Sequence, residues 1–276
     1  MRARFTLPSG SIAALDNSEA LPAGPHPVVL LTPGYTGSKE DFRPLLRPLA
    51  DAGYRAVAID QRGQFESEWA SEPAGYTLQA LAEDLCQLAV ELAPAESRVH
   101  LVGHSFGGLV GRAAVLAKAE LFDSFTLMGS GPAAVTGQRR TLLDVGELAL
   151  AERGMAGLWS QLEFSAQADS KYADSSPALR AFLRTRFMAT DPVGLQVMGQ
   201  ELRTVADRTA ELAATGLPML VLHGESDDAW TPTVQADMAR RLGAAHAVIA
   251  AAAHSPAVEN PGATLRALLD FWQSLR

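Results

Sequence analysis

The chain has 276 residues, 47% hydrophobic and 20% charged, which supplies one sizeable core and excludes a disordered or fibrous protein. A net charge of −8 with no basic run argues against nucleic acid or an anionic membrane as a partner. One cysteine, Cys86, excludes an internal disulfide, and six histidines without paired H-E-x-x-H spacing imply no metal site.

The first residues, Met1 to Pro8, carry charge with no apolar stretch behind them, so the expectation is a cytoplasmic protein without a secretory leader or membrane span. Short strands are predicted at 3–7 and 12–15, joined by a Pro8-Ser9-Gly10 turn. An apolar strand follows at 27–32, a helix at 38–52 stopped by Gly53, and a strand at 55–60. A helix over 77–92, capped near Thr77, takes Cys86 as a small core residue. Strands are predicted at 99–104 and 124–128, then at 218–223 and 246–250, before an amphipathic helix at 264–275. Such alternation implies a parallel sheet covered on both faces.

Residues 133–216 break the alternation. Helix formers dominate, interrupted at Gly154, Gly157, Pro177, Asp191-Pro192 and Gly194, as expected of a helical cap inserted into a core made of 1–132 and 217–276. Its apolar residues, among them Leu158, Trp159, Phe164, Phe182, Phe187 and Met188, are expected to form the cap's own core. Its scattered charges read as a solvated face.

Gly103-His104-Ser105-Phe106-Gly107-Gly108 is a G-x-S-x-G pattern between a predicted strand and a predicted helix. Such a pattern alone is a common Gly-rich turn, but strand, sharp turn and helix together are the setting of a nucleophile elbow, with Ser105 as nucleophile. The base best placed for it is His254, on a loop just after the last predicted strand. His26 and His246 look like surface histidines, His100 and His223 like satisfied core histidines, and His104 adjoins the nucleophile too closely to serve it. An orienting carboxylate comes from Gly224-Glu225-Ser226-Asp227-Asp228. Asp227 lies three residues after Gly224 and is preferred. Asp228 lies four before Pro232, and one of the pair is expected to cap the helix starting there.

Taken with Thr32-Pro33-Gly34-Tyr35-Thr36-Gly37-Ser38, Asp60-Gln61-Arg62-Gly63-Gln64-Phe65-Glu66-Ser67 and His254-Ser255-Pro256, these motifs resemble the α/β-hydrolase superfamily over nearly the whole chain. The resemblance implies an α/β-hydrolase fold: a mostly parallel sheet of about eight strands with a helical cap after the sixth. It implies a Ser105–His254–Asp227 triad and an oxyanion hole from the backbone N–H groups of Tyr35 and Phe106. Two departures stand out: Pro33-Gly34 where the family usually has His-Gly, and Phe65 where it often has Gly. The implied activity is serine hydrolysis of a small or medium ester-type substrate, without metal or organic cofactor. Serine at the elbow departs from haloalkane dehalogenases and epoxide hydrolases, which use aspartate. Epoxide hydrolases also use two cap tyrosines, and Tyr172 is the only tyrosine in this insertion. A ring-cleavage carbon–carbon hydrolase and a non-catalytic ligand-binding member are the alternatives. The sequence does not indicate an oligomeric state.

Overall fold

The computed structural model describes residues 1–93, 99–166 and 175–275. β1 (Arg2–Leu7) and β2 (Gly10–Asp16) form an antiparallel hairpin, and β2 pairs antiparallel with β4 (Arg55–Ile59). From β4 onward the sheet is parallel, through β3 (Val28–Thr32), β5 (Val99–His104), β6 (Phe122–Met128), β7 (Met219–Gly224) and β8 (Ala245–Ile249). The spatial order is β1-β2-β4-β3-β5-β6-β7-β8, so the expected eight-stranded, mostly parallel sheet is present. Each strand lies within two residues of its predicted segment. β3, β5 and β7 are buried along their whole length, as parallel strands covered on both faces must be.

On one face, Leu45 and Leu49 of α1 (Arg43–Asp51) pack with Leu268, Phe271 and Trp272 of α10 (Pro261–Gln273). On the other, α2 (Leu78–Leu92), α3 (Phe106–Lys118) and α8 (Pro232–Leu242) contribute Leu81, Leu85, Leu109, Val110 and Met238. A short helix, α9 (Pro256–Glu259), precedes α10. The predicted 38–52 helix is divided: Lys39–Phe42 is a 3-10 turn and α1 starts at Arg43. Pro44 and Pro48 lack amide donors, which weakens a continuous helix through this segment. Thr77 caps α2, its hydroxyl accepting from the Ala80 amide at 3.3 Å.

Between β6 and β7 lie α4 (Gly137–Ala166), bent at Gly154, α5 (Pro177–Met188), α6 (Pro192–Thr204) and α7 (Thr209–Ala214). Leu158, Phe187 and Leu195 form a small cluster of their own, with Trp159 5.4 Å from Phe187. Phe164 and Met188 do not join it; Phe164 is 74% exposed. Phe182 packs edge-on against Phe65 of the main domain. Nor are the charges here a uniformly solvated face. Arg139 pairs with Asp228 at 2.6 Å, Arg186 with Asp41, and the nearly buried Arg203 with Glu147 at 2.8 Å. A long guanidinium can reach a carboxylate far away in the chain, which residue spacing does not reveal. Among the described residues no helix is long and apolar enough to cross a membrane.

Lys39 is wholly buried beside the loop that follows β3. Its ammonium lies 2.7 Å from Asp60, 2.8 Å from Glu66 and 3.2 Å from Glu40, and 4.6 Å from the centre of the Phe65 ring. Asp60 is equally buried and also accepts from the Lys39 amide at 2.8 Å. Removing the cation strands a carboxylate in the interior, which typically destabilises by about 3–5 kcal/mol. Lys39→Met is therefore expected to lower the unfolding free energy, read from guanidinium titration, by that amount, and a loss under about 1 kcal/mol would show the cluster to be electrostatically slack.

Candidate active site

Ser105 stands between β5 and α3 with φ 53 and ψ −118, a conformation that a non-glycine residue rarely adopts. Its amide donates to Met128 O at 2.8 Å, and its carbonyl accepts from the Gly108 amide at 2.9 Å. The turn closes only because two neighbours lack side chains. A Cβ at Gly103 would sit 2.4 Å from Gly107 O, and one at Gly107 would sit 2.5 Å from both Thr32 O and Pro33 O.

The loops after β7 and β8 bring Asp227 and His254 to this serine. His254 Nε2 is 2.9 Å from Ser105 Oγ, and His254 Nδ1 is 3.0 Å from Asp227 Oδ1. A carboxylate only accepts, so Nδ1–H donates to Asp227 and Nε2 is left to accept the serine proton. Asp227 Oδ1 also accepts from the Ala229 amide at 2.9 Å, and Oδ2 from Gln235 Nε2 at 2.9 Å. Burial by itself would raise this carboxyl, but the hydrogen bond and charge of His254, with the other donors, hold it below the usual range. Asp228 points elsewhere: it is 61% exposed and grips Arg139 through both oxygens. Neither aspartate caps α8, whose N-cap is Thr231.

The other histidines take varied places. His26 contacts two backbone carbonyls, His100 bonds Ser124 Oγ and stacks on Trp272, and His223 lies 2.9 Å from His246, ring nitrogen to ring nitrogen. His104 sits in the wall of the cleft, where sequence reasoning gave it no part. Its Nε2 donates to His254 O at 2.7 Å, which braces the loop carrying that histidine. Burial, followed by the neighbouring His254 charge, pushes His104 down to about 4, so near neutral pH it adds no competing charge.

Above Ser105 runs the loop after β3. A Cβ at Gly34 would come within 3.1 Å of Ser105 Cβ, a tight contact that glycine avoids. Gln64 Nε2 donates to Gly34 O at 2.8 Å and to Tyr35 O at 3.1 Å, while Gln61 Nε2 holds Pro33 O at 2.8 Å. In a trans peptide the N–H points away from the carbonyl, so the Tyr35 amide is aimed away from Gln64. The Phe106 amide opens α3, where helix donors lack intrahelical partners. Ser105 and His254 face a cleft of about 510 Å³. Val135, Leu142, Leu143, Leu162, Leu202 and Trp230 give it an apolar wall, and the Arg139–Asp228 and Arg186–Asp41 pairs lie on its polar side. Tyr172 lies outside the described residues.

A carboxyl held below its unfolded value, about 3.9, contributes stability above that pH and loses it as pH falls through the folded value. Asp227→Asn removes this contribution. Its stability is expected to fall less steeply than that of the natural protein below about pH 4, measured by urea unfolding across the acid range; equal slopes would contradict the assignment.

The alpha/beta hydrolase fold family model matches residues 27–261. "Putative carbamate hydrolase RutD" of Pantoea ananatis is 29% identical over 253 residues, covering 89% of this chain and 88% of that one. The protein of that name from Variovorax paradoxus is 46% identical over 83 residues, a match that spans only 30% of either chain. Among solved structures, an enol-lactonase from Burkholderia xenovorans superposes with a TM-score of 0.81 at 22% identity, covering 98% of this chain and 100% of the other. A thermophilic esterase from Thermogutta terrifontis superposes with a TM-score of 0.79 at 21% identity, covering 100% and 99%. With its sheet order, its strand–turn–helix serine and this match over most of its length, the chain belongs to the alpha/beta hydrolase fold family.

Proposed function

We propose that the protein is a serine hydrolase that cleaves a small or medium-sized ester-type substrate through an acyl-enzyme on Ser105. The observation that carries this reading is the unbroken chain of contacts from Ser105 Oγ through His254 to Asp227, at the floor of a cleft. Ser105 Oγ attacks the substrate carbonyl while His254 Nε2 takes its proton and Asp227 stabilises the imidazolium. The amides of Tyr35 and Phe106 receive the oxyanion, each such donor being worth about 3 kcal/mol in the transition state. His254 then protonates the leaving group, and in the second half activates water against the acyl-enzyme. Nothing in this sequence of steps calls for a metal or organic cofactor.

Residues 133–216 act in this reading as a cap over Ser105, and the leucine-lined wall receives the acyl group. Carbamate cleavage is a second reading, favoured by the near-full-length relative named for it; the attack on a carbonyl flanked by nitrogen uses the same residues. The connected contacts of Ser105, His254 and Asp227 favour both over turnover-free binding, while carbon–carbon cleavage uses the same residues and is separated from them by adding a vinylogous diketone to the substrate panel.

Ser105→Ala is expected to fold and to lose kcat by at least about 10⁴, and a phosphonate probe should label Ser105 alone, read by mass spectrometry of the modified peptide. Asp227→Asn should lower kcat by about 10⁴, while Asp228→Asn should stay within about threefold of the natural protein. The reverse ranking of the two aspartates would remove Asp227 from its role. Across p-nitrophenyl esters, kcat/KM should peak at short to medium acyl chains and fall for long ones, and N-alkyl carbamate esters run in the same panel separate the two readings. Best turnover of emulsified long-chain triglyceride would contradict an enclosed acyl site.

A further inference from the structure

We propose that Gln235 is a positioning residue for this reaction: its side-chain amide holds the Asp227 carboxylate in the plane that His254 requires. The inference rests on the triad reading given above. Gln235 lies in the first turn of α8, wholly buried. Its Nε2 donates to Asp227 Oδ2 at 2.9 Å and to Trp230 O at 2.7 Å. Both partners are acceptors, so the nitrogen must face them, and the orientation of the amide is fixed by chemistry. Oδ1 of the same carboxylate is occupied by His254 and the Ala229 amide. With donors on both oxygens the carboxylate cannot swing about its terminal torsion without losing one of them.

The other end of the amide strengthens the case. Gln235 Oε1 is buried with no hydrogen-bond partner among the described residues. A residue needed only to fill this space would be better as methionine or leucine, which leave no polar atom unpaired. The glutamine is explained by what its nitrogen does. That nitrogen also fixes the backbone of Trp230, whose residue lines the cleft, so one side chain ties the acid to the substrate wall.

Losing a donor leaves Asp227 a stronger base. A stronger base stabilises the His254 imidazolium more, so the histidine keeps its proton to higher pH and the acid limb of kcat/KM moves upward. The other charged or titratable groups around His254 are His104, Asp41, Arg139, Arg186, Asp228 and Glu259. No hydrogen bond or ion pair among the described residues joins any of them to Gln235, so they are common to all the variants compared.

The experiment uses Gln235→Met with a short-chain p-nitrophenyl ester. Expected are a fall in kcat of about tenfold with KM within about twofold, and an upward shift of the acid limb by several tenths of a pH unit. In an Asp227→Asn background the same substitution should produce no further loss, because a residue that acts through Asp227 has nothing left to position. An unshifted acid limb, or losses that multiply in the double variant, would overturn the proposal and leave Gln235 as packing. If Gln235→Met melts below the assay temperature, Gln235→Leu likewise removes the donor without adding a charge and is held to the same two readouts. Ser105→Ala runs alongside: turnover surviving there would bring down the triad reading and this inference together. An inert Ser105→Ala beside an unaltered Gln235→Met would bring down this inference alone.

Discussion

The backbone turn at Ser105 is the constraint on which the rest of the site depends. Holding a serine at positive φ is unfavourable by about 1–3 kcal/mol and persists only where the surroundings over-determine it. Here three strands do so. β5 delivers the serine, β6 accepts its amide at Met128, and the end of β3 presses its carbonyls against Gly107. β3 and β5 are neighbours in space, yet β4 and α2 lie between them in the chain, so the strand order reverses at this point. Loops leaving adjacent strands diverge at such a reversal, and the crevice between them is where open α/β sheets bind ligands. The glycines at 103 and 107 are thus requirements of packing before they are requirements of chemistry.

The inserted helices are attached in two different ways. Met198 and Leu202 of α6 belong to the large apolar cluster on the α2–α3 face, and α7 packs on α3 and α8. α4 and α5 share a small apolar cluster with Leu195 of α6, on which Tyr35 packs; Leu143 of α4 packs on the large cluster, Phe182 of α5 meets Phe65, and the Arg139–Asp228 and Arg186–Asp41 pairs add polar contacts. Partly exposed ion pairs are worth about 0–1 kcal/mol and weaken with salt, whereas buried apolar packing is neither so weak nor so screened. The insertion is therefore graded: α6 and α7 bury residues in the large cluster, while α4 and α5 combine partly buried apolar contacts with ion pairs.

The sheet is legible because its central strands are compact apolar runs set off by helical periodicity, whereas the edge strands β1 and β8 are largely exposed and read from alternation and turn signals. Ser105 was legible because a sharp turn needs its glycines nearby in the chain, and His254 because its loop follows the last strand directly. Spacing from Gly224 prefers Asp227 and spacing to Pro232 prefers Asp228, so the two counts disagree. Adjacent residues on a loop point in different directions, and which one meets His254 depends on how the loop is pinned by the Ala229 amide and Gln235. Arg139, Arg186 and Asp41 are invisible for a plainer reason: each finds its partner far away in the chain. The contact of His104 with the His254 carbonyl is a backbone interaction that no side-chain pattern signals.

Electrostatics of the cleft bear on what it can accept. Both arginines on its wall already hold an aspartate, Arg139 through two hydrogen bonds and Arg186 through Asp41 with Ser38 beside it. His104 is neutral near neutral pH. An anionic group entering the cleft would have to displace Asp228 or Asp41 to gain a cation, and would otherwise lose hydration without compensation. A neutral carbonyl substrate meets no such penalty, and charge first develops on it in the transition state, where the proposed backbone donors lie. Within the proposed chemistry this favours uncharged esters and carbamate esters over carboxylate-bearing substrates, and it does so through the pairs that also hold α4 and α5 to the core.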